Sequence, residues 1–264
     1  MAGSGKYVAK DEGTFYDDGR EEECLEFVQS KPNLQGKPDA VLEAIDEFGR
    51  TRKYLMNIGV EKGKIVRDVI ANEQPTTMVE LGGYCGYSAI AFAAEMKRHS
   101  GGRAVRYYSL ERNATFGKII EAMANLAGLG DIIRVVVGDS SDSLRRLQTT
   151  FNIEKIDILF LDHHKPSYAP DLRLCETLRL VVPGSVIVAD NVIYPGNPPY
   201  LEYVRSSCEE KRQRVRSAEE NELERANGRW DLVYESNLVE SFEPTGETDG
   251  VEISRITGWY SDKK

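Results

Sequence analysis

The sequence lacks the features that would assign it to a membrane, secreted or zinc-finger class of protein. No apolar run approaches the roughly 20 residues that a helix needs to cross a bilayer. The amino terminus lacks the apolar core of a signal peptide. The four cysteines are widely scattered and show neither metal nor disulfide spacing, which is typical of a cytosolic protein with reduced thiols. We therefore expect a soluble, cytoplasmic protein with no membrane partner.

Positive charge is also in short supply. The chain has 34 Lys and Arg residues against 43 Asp and Glu residues, which gives a net charge of −9. Because non-specific binding to a nucleic-acid backbone requires a basic surface, nucleic acid is not an expected partner. The hydrophobic and charged fractions are those of an ordinary globular protein. We expect a monomer that acts on a small molecule.

The order of the sequence patterns indicates one α/β domain. Residues 1–20 have little apolar content and are expected to form a flexible tail. Residues 21–264 then form a single domain that begins with a helical amino-terminal cover. From residue 77 strand and helix patterns alternate, which favours a doubly wound, Rossmann-like sheet with helices on both faces. The parallel strand candidates are 77–81, 105–110, 132–137, 156–159 and 185–188, and the antiparallel closing candidates are 230–234 and 251–256, with a loop at 241–246.

Polar side chains follow the fourth and fifth strand candidates. Asp162 and Lys165 come after the fourth, and Asp190 and Asn191 follow the fifth. Open α/β sheets bind ligands at the carboxyl ends of their strands. Carboxylate and amide oxygens suit magnesium or calcium, and a lysine beside a metal is positioned to take a proton. These residues form a reaction site if the two strands are neighbours.

A glycine-rich turn follows the first strand candidate, from Glu80 to Ser88. Glycines allow a tight turn and the close approach of a ligand to the backbone. Tyr84 occupies the place of the middle glycine of the dinucleotide fingerprint, which disfavours NAD. The acidic Glu80 would suit a cationic, amino-acid-like ligand better than a phosphate. A purely structural turn remains the alternative.

The second and third strand candidates also end in polar residues. Glu111 at the second strand tip is placed to accept hydrogen bonds from ribose hydroxyls, although a solvated strand-end glutamate is the alternative. Ser140 and Ser141 could line an adenine pocket, or one of them could be a helix N-cap. Together with the glycine turn, these residues indicate an adenosine-type cofactor without phosphates. S-adenosylmethionine fits that description.

Several of these segments resemble the catechol O-methyltransferase family. The resemblance runs from about residue 22 to 208 and is carried by residues 41–46, Met56-Asn57, and residues 80–88, 160–165 and 189–196. It implies a class I methyltransferase fold with an antiparallel closing strand. It further implies a Mg²⁺-dependent and S-adenosylmethionine-dependent O-methyltransferase that moves a methyl group to one hydroxyl of a catechol-type substrate.

The resemblance assigns roles to individual positions. Asp162, Asp190 and Asn191 would bind Mg²⁺, and Lys165 would be the catalytic base. The implied cofactor-binding residues are Met56, Glu80, Gly82, Tyr84, Ser88, Glu111, Ser140, Ser141, Asp162 and His163. The implied substrate-binding residues are Tyr54, Asn57, Asp162, His164, Lys165, Asn191, Pro195 and Glu240.

The chain departs from the family pattern around the expected substrate slot. His164 and Tyr54 stand where the family has tryptophan walls, which keeps flat rings but makes the slot more polar. Ser141 stands in place of a glutamine at the adenine edge. The family's carboxyl-terminal glutamate is best matched by Glu240, with Glu243 as the alternative.

Three other interpretations compete with a methyltransferase. The first is a cofactor-binding module that has lost catalysis, which the retained Lys165 and full ligand set oppose. The second is a nicotinamide-dependent oxidoreductase, which Tyr84 in the glycine turn opposes. The third is a zinc hydrolase that uses His163 and His164, but adjacent histidines point to opposite sides of the chain.

Overall fold

Seven strands form one sheet in the computed structural model, which describes residues 5–8, 18–217 and 227–261. The order across the sheet is β3-β2-β1-β4-β5-β7-β6, and β7 is the one strand that runs against the others. The strands are β1 (Thr77–Leu81), β2 (Arg106–Glu111), β3 (Ile133–Val137), β4 (Ile158–Leu161), β5 (Val186–Ala189), β6 (Leu232–Phe242) and β7 (Thr248–Trp259). The expectation of a doubly wound α/β sheet with an antiparallel closing strand is confirmed.

Helices cover both faces of the sheet and bury two separate hydrophobic clusters. Phe160 and Val188 point into the cluster that contains the amino-terminal helices, whereas Leu159 and Ile187 point into the other. The first face carries α1 (Arg20–Gln29), α2 (Pro38–Thr51), α3 (Gly59–Glu73), α4 (Tyr87–His99) and α5 (Ala114–Leu126). The second carries α6 (Ser140–Thr149), α7 (Tyr168–Thr177) and α8 (Pro198–Arg205), after which comes α9 (Cys208–Ser217).

The central strands bring three loop starts to the same edge of the sheet. Every residue of β1, β4 and β5 is buried, which explains the continuous apolar runs of β4 and β5. Leu161 pairs with Leu81 on one side and with Ala189 on the other. The residues that follow these three strands therefore begin side by side. The chain reverses its direction of travel across the sheet at β1 and β4, which is where doubly wound sheets bind ligands.

Two boundaries differ from the sequence expectations. The closing strands β6 and β7 are longer than the sequence predicts. They form a half-exposed hairpin, and its polar residues interrupt the apolar pattern by which a strand is recognised in the sequence. Residues 241 and 242 consequently belong to β6 rather than to a loop. The expectation of a flexible tail is wrong for residues 5–8, since Tyr7 is buried and donates its backbone N–H to the Pro244 carbonyl at 3.0 Å. Residues 1–4 and 9–17 of that expected tail lie outside the described residues.

No helix within the described ranges is long and apolar enough to cross a membrane.

Candidate active site

Lys165 follows β4 and contacts two of the expected metal ligands, one after β4 and one after β5. The Nζ atom of Lys165 lies 3.0 Å from Oδ1 of Asp162 and 2.6 Å from Oδ1 of Asn191. It also donates to the Tyr168 hydroxyl at 2.7 Å, and that hydroxyl donates to the Asp190 carbonyl at 3.2 Å. Adjacent parallel strands thus bring together side chains that are far apart in the sequence.

Asp190 contacts a second lysine, which the sequence patterns did not single out. Lys62 lies on α3 and is fully buried. Its Nζ atom lies 2.9 Å from each carboxylate oxygen of Asp190. The hydrogen-bond geometry is satisfied only at Oδ2, and no described residue hydrogen-bonds to the buried Oδ1. Oδ1 of Asp190 therefore contacts the Lys62 ammonium group but accepts no hydrogen bond.

Lys62 also holds two carboxylates from the closing hairpin. Its Nζ atom donates to Oε1 of Glu243 at 2.8 Å and to Oδ2 of Asp249 at 2.7 Å. Burial alone would lower the pKa of Lys62, but attraction to its three carboxylate partners outweighs burial and raises the pKa. Lys62 is thus a buried, permanently charged ammonium group.

The cluster is short of positive charge. Burial raises the pKa of Asp190 to about 7 although Lys62 opposes the shift. Burial likewise raises the pKa of Glu243 to about 8 against the attraction of Lys62. When all groups are ionised, two negative charges remain among the four carboxylates and two ammonium groups, which belong to Asp162, Asp190, Glu243, Asp249, Lys62 and Lys165. A divalent cation would neutralise the cluster.

The donor set suits a hard cation such as Mg²⁺. Asp162 and Asp190 supply carboxylates and Asn191 supplies an amide oxygen, and Oδ1 of Asp190 has no hydrogen-bond partner within the described chain. In the part of the chain that the structure describes, no three side chains of His, Cys, Asp or Glu form a metal-binding group by themselves. A metal site at this place would need the amide oxygen of Asn191 in addition to the two carboxylates.

The amide of Asn191 is held in one orientation. Its Nδ2 atom donates to Oε1 of Glu243 at 2.6 Å and to Oδ2 of Asp249 at 3.0 Å. Oδ1 consequently faces Lys165. Asn191 adopts the left-handed conformation with φ of +57°, which asparagine tolerates better than most residues.

The tips of β1 and β4 approach each other closely at Gly82. Its φ is +93°, and a Cβ atom there would lie 2.6 Å from the backbone oxygen of Asp162. A Cβ atom on Gly83 would overlap the Oγ atom of Ser109. Glycine is therefore required in this turn both for conformation and for space. The glycine turn thus lies directly against the Asp162 loop.

Glu80 is fully buried and does not present its carboxylate at the surface. It accepts hydrogen bonds from the hydroxyls of Ser88, Tyr107 and Ser109 at 2.7, 2.6 and 2.5 Å. Burial raises the pKa of Glu80 to about 7, although the three hydroxyl donors oppose the shift. Both carboxylate oxygens of Glu80 accept from hydroxyls of the protein itself, and the expected contact between Glu80 and a cationic ligand stays a prediction. Through Ser88, Glu80 also fixes the start of α4.

Glu111 at the tip of β2 binds the glycine turn. Its Oε2 atom accepts from the backbone N–H groups of Gly83 and Tyr84 at 3.2 and 3.1 Å, and its Oε1 atom accepts from that of Asn113 at 2.8 Å. It is half-buried rather than a freely solvated strand-end residue. The hydroxyl of Tyr84 donates to Oε1 of Glu21 at 2.7 Å, which ties the turn to α1.

Ser140 and Ser141 are the first two residues of α6. The N-cap is Asp139, so the alternative in which one of these serines is the N-cap is wrong. Ser140 is half-buried and Ser141 is exposed. Both lie at the tip of β3, next to the strand that carries Glu111.

The two histidines after β4 have different surroundings. His163 stacks on the Tyr168 ring at 5.0 Å between centroids, and its Nε2 atom lies 2.9 Å from Oδ2 of Asp171. Its buried Nδ1 atom has no hydrogen-bond partner in the part of the chain that the structure describes. His164 is exposed and its Nδ1 atom lies 3.3 Å from the Oγ atom of Ser167. The two rings therefore do not form a zinc pair.

The remaining expected residues lie in the segment between α2 and α3 and in the segment after Asn191. Met56 is 45 % exposed, so it is not a core residue, whereas Asn57 is buried with its Nδ2 atom 3.5 Å from the Tyr7 hydroxyl. Tyr54 is half-buried and accepts a hydrogen bond from Arg20 through its carbonyl. Pro195 is exposed in the turn after Asn191.

Glu243, rather than Glu240, reaches the site. Glu240 is an exposed residue of β6 opposite Gly250. Glu243 comes just after β6, where its carboxylate contacts both Lys62 and Asn191. The choice of Glu240 therefore needs correcting, because the strand extends further than expected and carries the hairpin turn closer to the β5 tip.

Comparison with known proteins agrees with this geometry. Residues 79–192 match the family model described as Methyltransferase domain. The chain is 38 % identical over 188 residues to catechol O-methyltransferase from Bos taurus, covering 71 % of this chain and 67 % of the relative. It is 42 % identical over 173 residues to catechol O-methyltransferase B from Danio rerio, covering 66 % and 64 %.

A solved structure supports the fold. The chain resembles the O-methyltransferase TomG from Streptomyces achromogenes in complex with SAM, with a TM-score of 0.56 and 21 % identity. The match covers 95 % of this chain and 92 % of that chain.

Proposed function

The chain belongs to the catechol O-methyltransferase family, and we propose that it methylates one hydroxyl of a catechol-type substrate with Mg²⁺ as its metal. As a member of this family it is an S-adenosylmethionine-dependent O-methyltransferase, so the proposal concerns the metal and the substrate. The contact of Lys165 with both Asp162 and Asn191 is the observation that supports it most strongly.

We propose that Asp162, Asp190 and Asn191 hold Mg²⁺. The Oδ1 atom of Asp190, which accepts no hydrogen bond, supports this assignment, as does a cluster in which four carboxylates meet only two ammonium groups. When bound, Mg²⁺ supplies a positive charge that lowers the pKa of a nearby hydroxyl and orients it.

Lys165 is the base that we propose for the reacting hydroxyl. Its ammonium donates to three oxygens, those of Asp162, Tyr168 and Asn191, and is saturated with acceptors in the structure as described. Two of those oxygens are also the proposed metal ligands. A metal held by Asp162 and Asn191 would therefore lie beside Lys165, which places this lysine within reach of a hydroxyl bound at the metal.

The chemical step needs little beyond positioning. Lys165 would take the proton of the hydroxyl, and the substrate oxygen would form a bond to the methyl carbon as the carbon–sulfur bond of S-adenosylmethionine breaks. S-adenosylhomocysteine would leave as a neutral sulfide. The protein contributes by keeping the oxygen and the methyl group in line. The direct contact between the Gly82 turn and the Asp162 loop links the proposed donor site to the proposed metal site.

We propose that the donor lies across the tips of β1, β2 and β3. The polar residues there include the turn that Glu111 fixes and Ser140. The buried Nδ1 atom of His163 is an available acceptor when Nε2 carries the proton toward Asp171, which suits the amino group of adenine.

The substrate would bind on the opposite side of the metal ligands, with Glu243 as the acceptor for its second hydroxyl. Tyr54, Asn57, His164 and Pro195 are the proposed walls of the slot. His164 is exposed and polar, which supports a substrate with a hydrophilic substituent.

All four cysteines are free and buried, which is consistent with the proposed cytoplasmic location.

A methyl-transfer assay over a panel of catechols and matched monophenols tests this function. We expect transfer from S-adenosylmethionine to the catechols and little transfer to monophenols, because only a diol offers two adjacent oxygens. Binding of S-adenosylmethionine without methyl transfer to any diol would instead indicate a catalytically inactive cofactor-binding module. Calorimetry that detects tight NAD binding and no response to S-adenosylmethionine would indicate an oxidoreductase.

A further inference from the structure

Lys62 has no place in the chemistry proposed above, yet it is the most completely buried basic residue in the described structure. Its side chain is 0 % exposed, and its three carboxylate partners lie 128, 181 and 187 residues further along the chain. A buried charge is costly unless it is fully paired, so a buried lysine with three carboxylates must serve the folded arrangement of those partners.

Each partner of Lys62 touches the proposed metal ligands or is one of them. Asp190 is a proposed ligand and accepts from Lys62 through its Oδ2 atom, while its Oδ1 atom lies 2.9 Å from the same Nζ atom without accepting a hydrogen bond. Glu243 and Asp249 share Lys62 and both accept from the Nδ2 atom of Asn191. Lys62 thus connects with two of the three proposed metal ligands, one directly and one through a pair of carboxylates.

Asp249 extends this connection to the backbone of the substrate side. Its Oδ1 atom accepts from the N–H groups of Ile193 and Tyr194 at 3.2 and 2.8 Å. Its Oδ2 atom accepts from Lys62 and Asn191. The segment that leads to Pro195 is therefore fixed by the same carboxylate that Lys62 holds.

We propose that Lys62 is a positioning residue for the metal site: it holds Asp190, Glu243 and Asp249 together so that Asp190 and Asn191 present their Oδ1 atoms to Mg²⁺. This inference rests on the proposed Mg²⁺ site. Lys62 itself contacts neither substrate nor donor and acts through its partners.

Positioning and simple charge repulsion make opposite predictions. If Lys62 acted only as a positive charge near a cation, its removal would strengthen Mg²⁺ binding. If it positions the ligands, its removal weakens Mg²⁺ binding, since three unpaired carboxylates repel each other and release the Asn191 amide. Loss of groups that orient metal ligands typically costs roughly 10–100-fold in metal affinity.

The test is Mg²⁺ calorimetry on the full-length Lys62→Met and Lys62→Arg proteins in the absence of substrate and donor. We expect a roughly 10–100-fold higher dissociation constant for Lys62→Met, and Lys62→Arg should recover most of the affinity because it keeps the charge. Lys64→Met, an exposed lysine on the same helix, is the control and should match wild type. Mg²⁺ binding to Lys62→Met that is unchanged or tighter overturns the proposal, as does equal weakening by Lys64→Met.

The results of Mg²⁺ calorimetry and one further measurement separate the possible failures. If wild type binds no Mg²⁺, the proposed function fails before the role of Lys62 is reached. If wild type binds Mg²⁺ and Lys62→Met binds it equally well, only the positioning role of Lys62 is refuted. Calorimetry with S-adenosylmethionine checks that the variants retain a folded donor site.

A measurement on wild type covers the case in which Lys62→Met does not fold. The side-chain amide protons of Asn191, assigned by their loss in Asn191→Asp, should exchange slowly with solvent both before and after Mg²⁺ is added. Rapid exchange in the Mg²⁺-bound protein would show that the carboxylate pair does not hold Asn191, and would overturn the proposal.

Discussion

Oδ1 of Asn191 lies 2.6 Å from Nζ of Lys165, so a proposed metal ligand and the proposed base contact each other directly. The same ammonium lies 3.0 Å from Oδ1 of Asp162. Lys165 and a metal ion would therefore compete for the same two oxygens, and this competition separates the role of the lysine in catalysis from its effect on metal binding.

Replacement of Lys165 by methionine should abolish most catalysis without weakening the metal site. We expect kcat to fall by about 10²–10⁴-fold, the usual contribution of a general base. The Mg²⁺ dissociation constant should stay the same or fall, because the competing ammonium is gone. Steady-state assays and calorimetry provide the two measurements, with Lys64→Met as the control. A Lys165→Met protein with wild-type turnover would rule out the base assignment.

Gly82→Ala should damage both stability and catalysis. The new Cβ atom would lie 2.6 Å from the Asp162 carbonyl oxygen, in a residue with φ of +93°. Gly101→Ala is the matched control, since its φ is +59° and nothing lies within 4 Å of the added atom.

Denaturant unfolding separates the two causes. Gly101→Ala should lower the free energy of unfolding by about 1–2 kcal/mol for conformation alone. Gly82→Ala should lower it by about 3 kcal/mol or more, because steric overlap is added. Equal losses in the two variants would mean that the turn and the Asp162 loop do not touch.

Glu80 should make the folded state less stable as the pH rises. Its pKa is about 7 in the folded protein against an ordinary value of 4.5, so the folded state retains a proton that the unfolded state has released. The stabilising contribution is complete below pH 4.5 and disappears as the pH rises through about 7. The full change amounts to roughly 3 kcal/mol.

Unfolding of wild type and Glu80→Gln from pH 4.5 to 8 measures this contribution. The free energy of unfolding of wild type, relative to that of Glu80→Gln, should fall by roughly 3 kcal/mol from pH 4.5 to 8, because glutamine does not ionise. Glu61→Gln, at an exposed position, is the control for the loss of one carboxylate. A stability difference that does not vary with pH would contradict the assignment.

Glu243→Gln and Glu240→Gln should differ in their effect on catechol methylation. Glu243 contacts Lys62 and Asn191, whereas Glu240 is exposed on β6. We expect kcat/KM for a catechol to fall at least about tenfold in Glu243→Gln. This is the usual effect of losing a hydrogen bond to a charged group, here the bond from the second substrate hydroxyl to the carboxylate. Glu240→Gln should remain close to wild type. The reverse order of effects would return the substrate role to Glu240.

The sequence predicts the central part of the fold well because burial controls it. Each of β1, β4 and β5 is buried throughout, so β4 and β5 read as short apolar runs, each followed by an aspartate. The placement of Asp162 beside Asp190 and Asn191 follows from that pattern once the strands are neighbours. The hairpin of β6 and β7 was harder to predict, since its alternating exposed residues resemble a loop.

Lys62 could not be assigned from the sequence. A lysine on a helix is usually solvated, and its three partners lie in distant segments. One local signal exists, because Lys62 falls on the same buried stripe of α3 as Gly59, Val66 and Ile70. Glu243 was ambiguous for a related reason, since the end of β6 decides which glutamate reaches the site.

Removal and restoration of metal tests the central claim most directly. The purified protein is treated with EDTA, dialysed, and assayed for methyl transfer from S-adenosylmethionine to a catechol with and without added Mg²⁺. The proposed function predicts that activity is lost on chelation and returns in proportion to the Mg²⁺ that binds. Methyl transfer that continues undiminished in the metal-free protein would contradict the assignment of Asp162, Asp190 and Asn191 as a catalytic metal site.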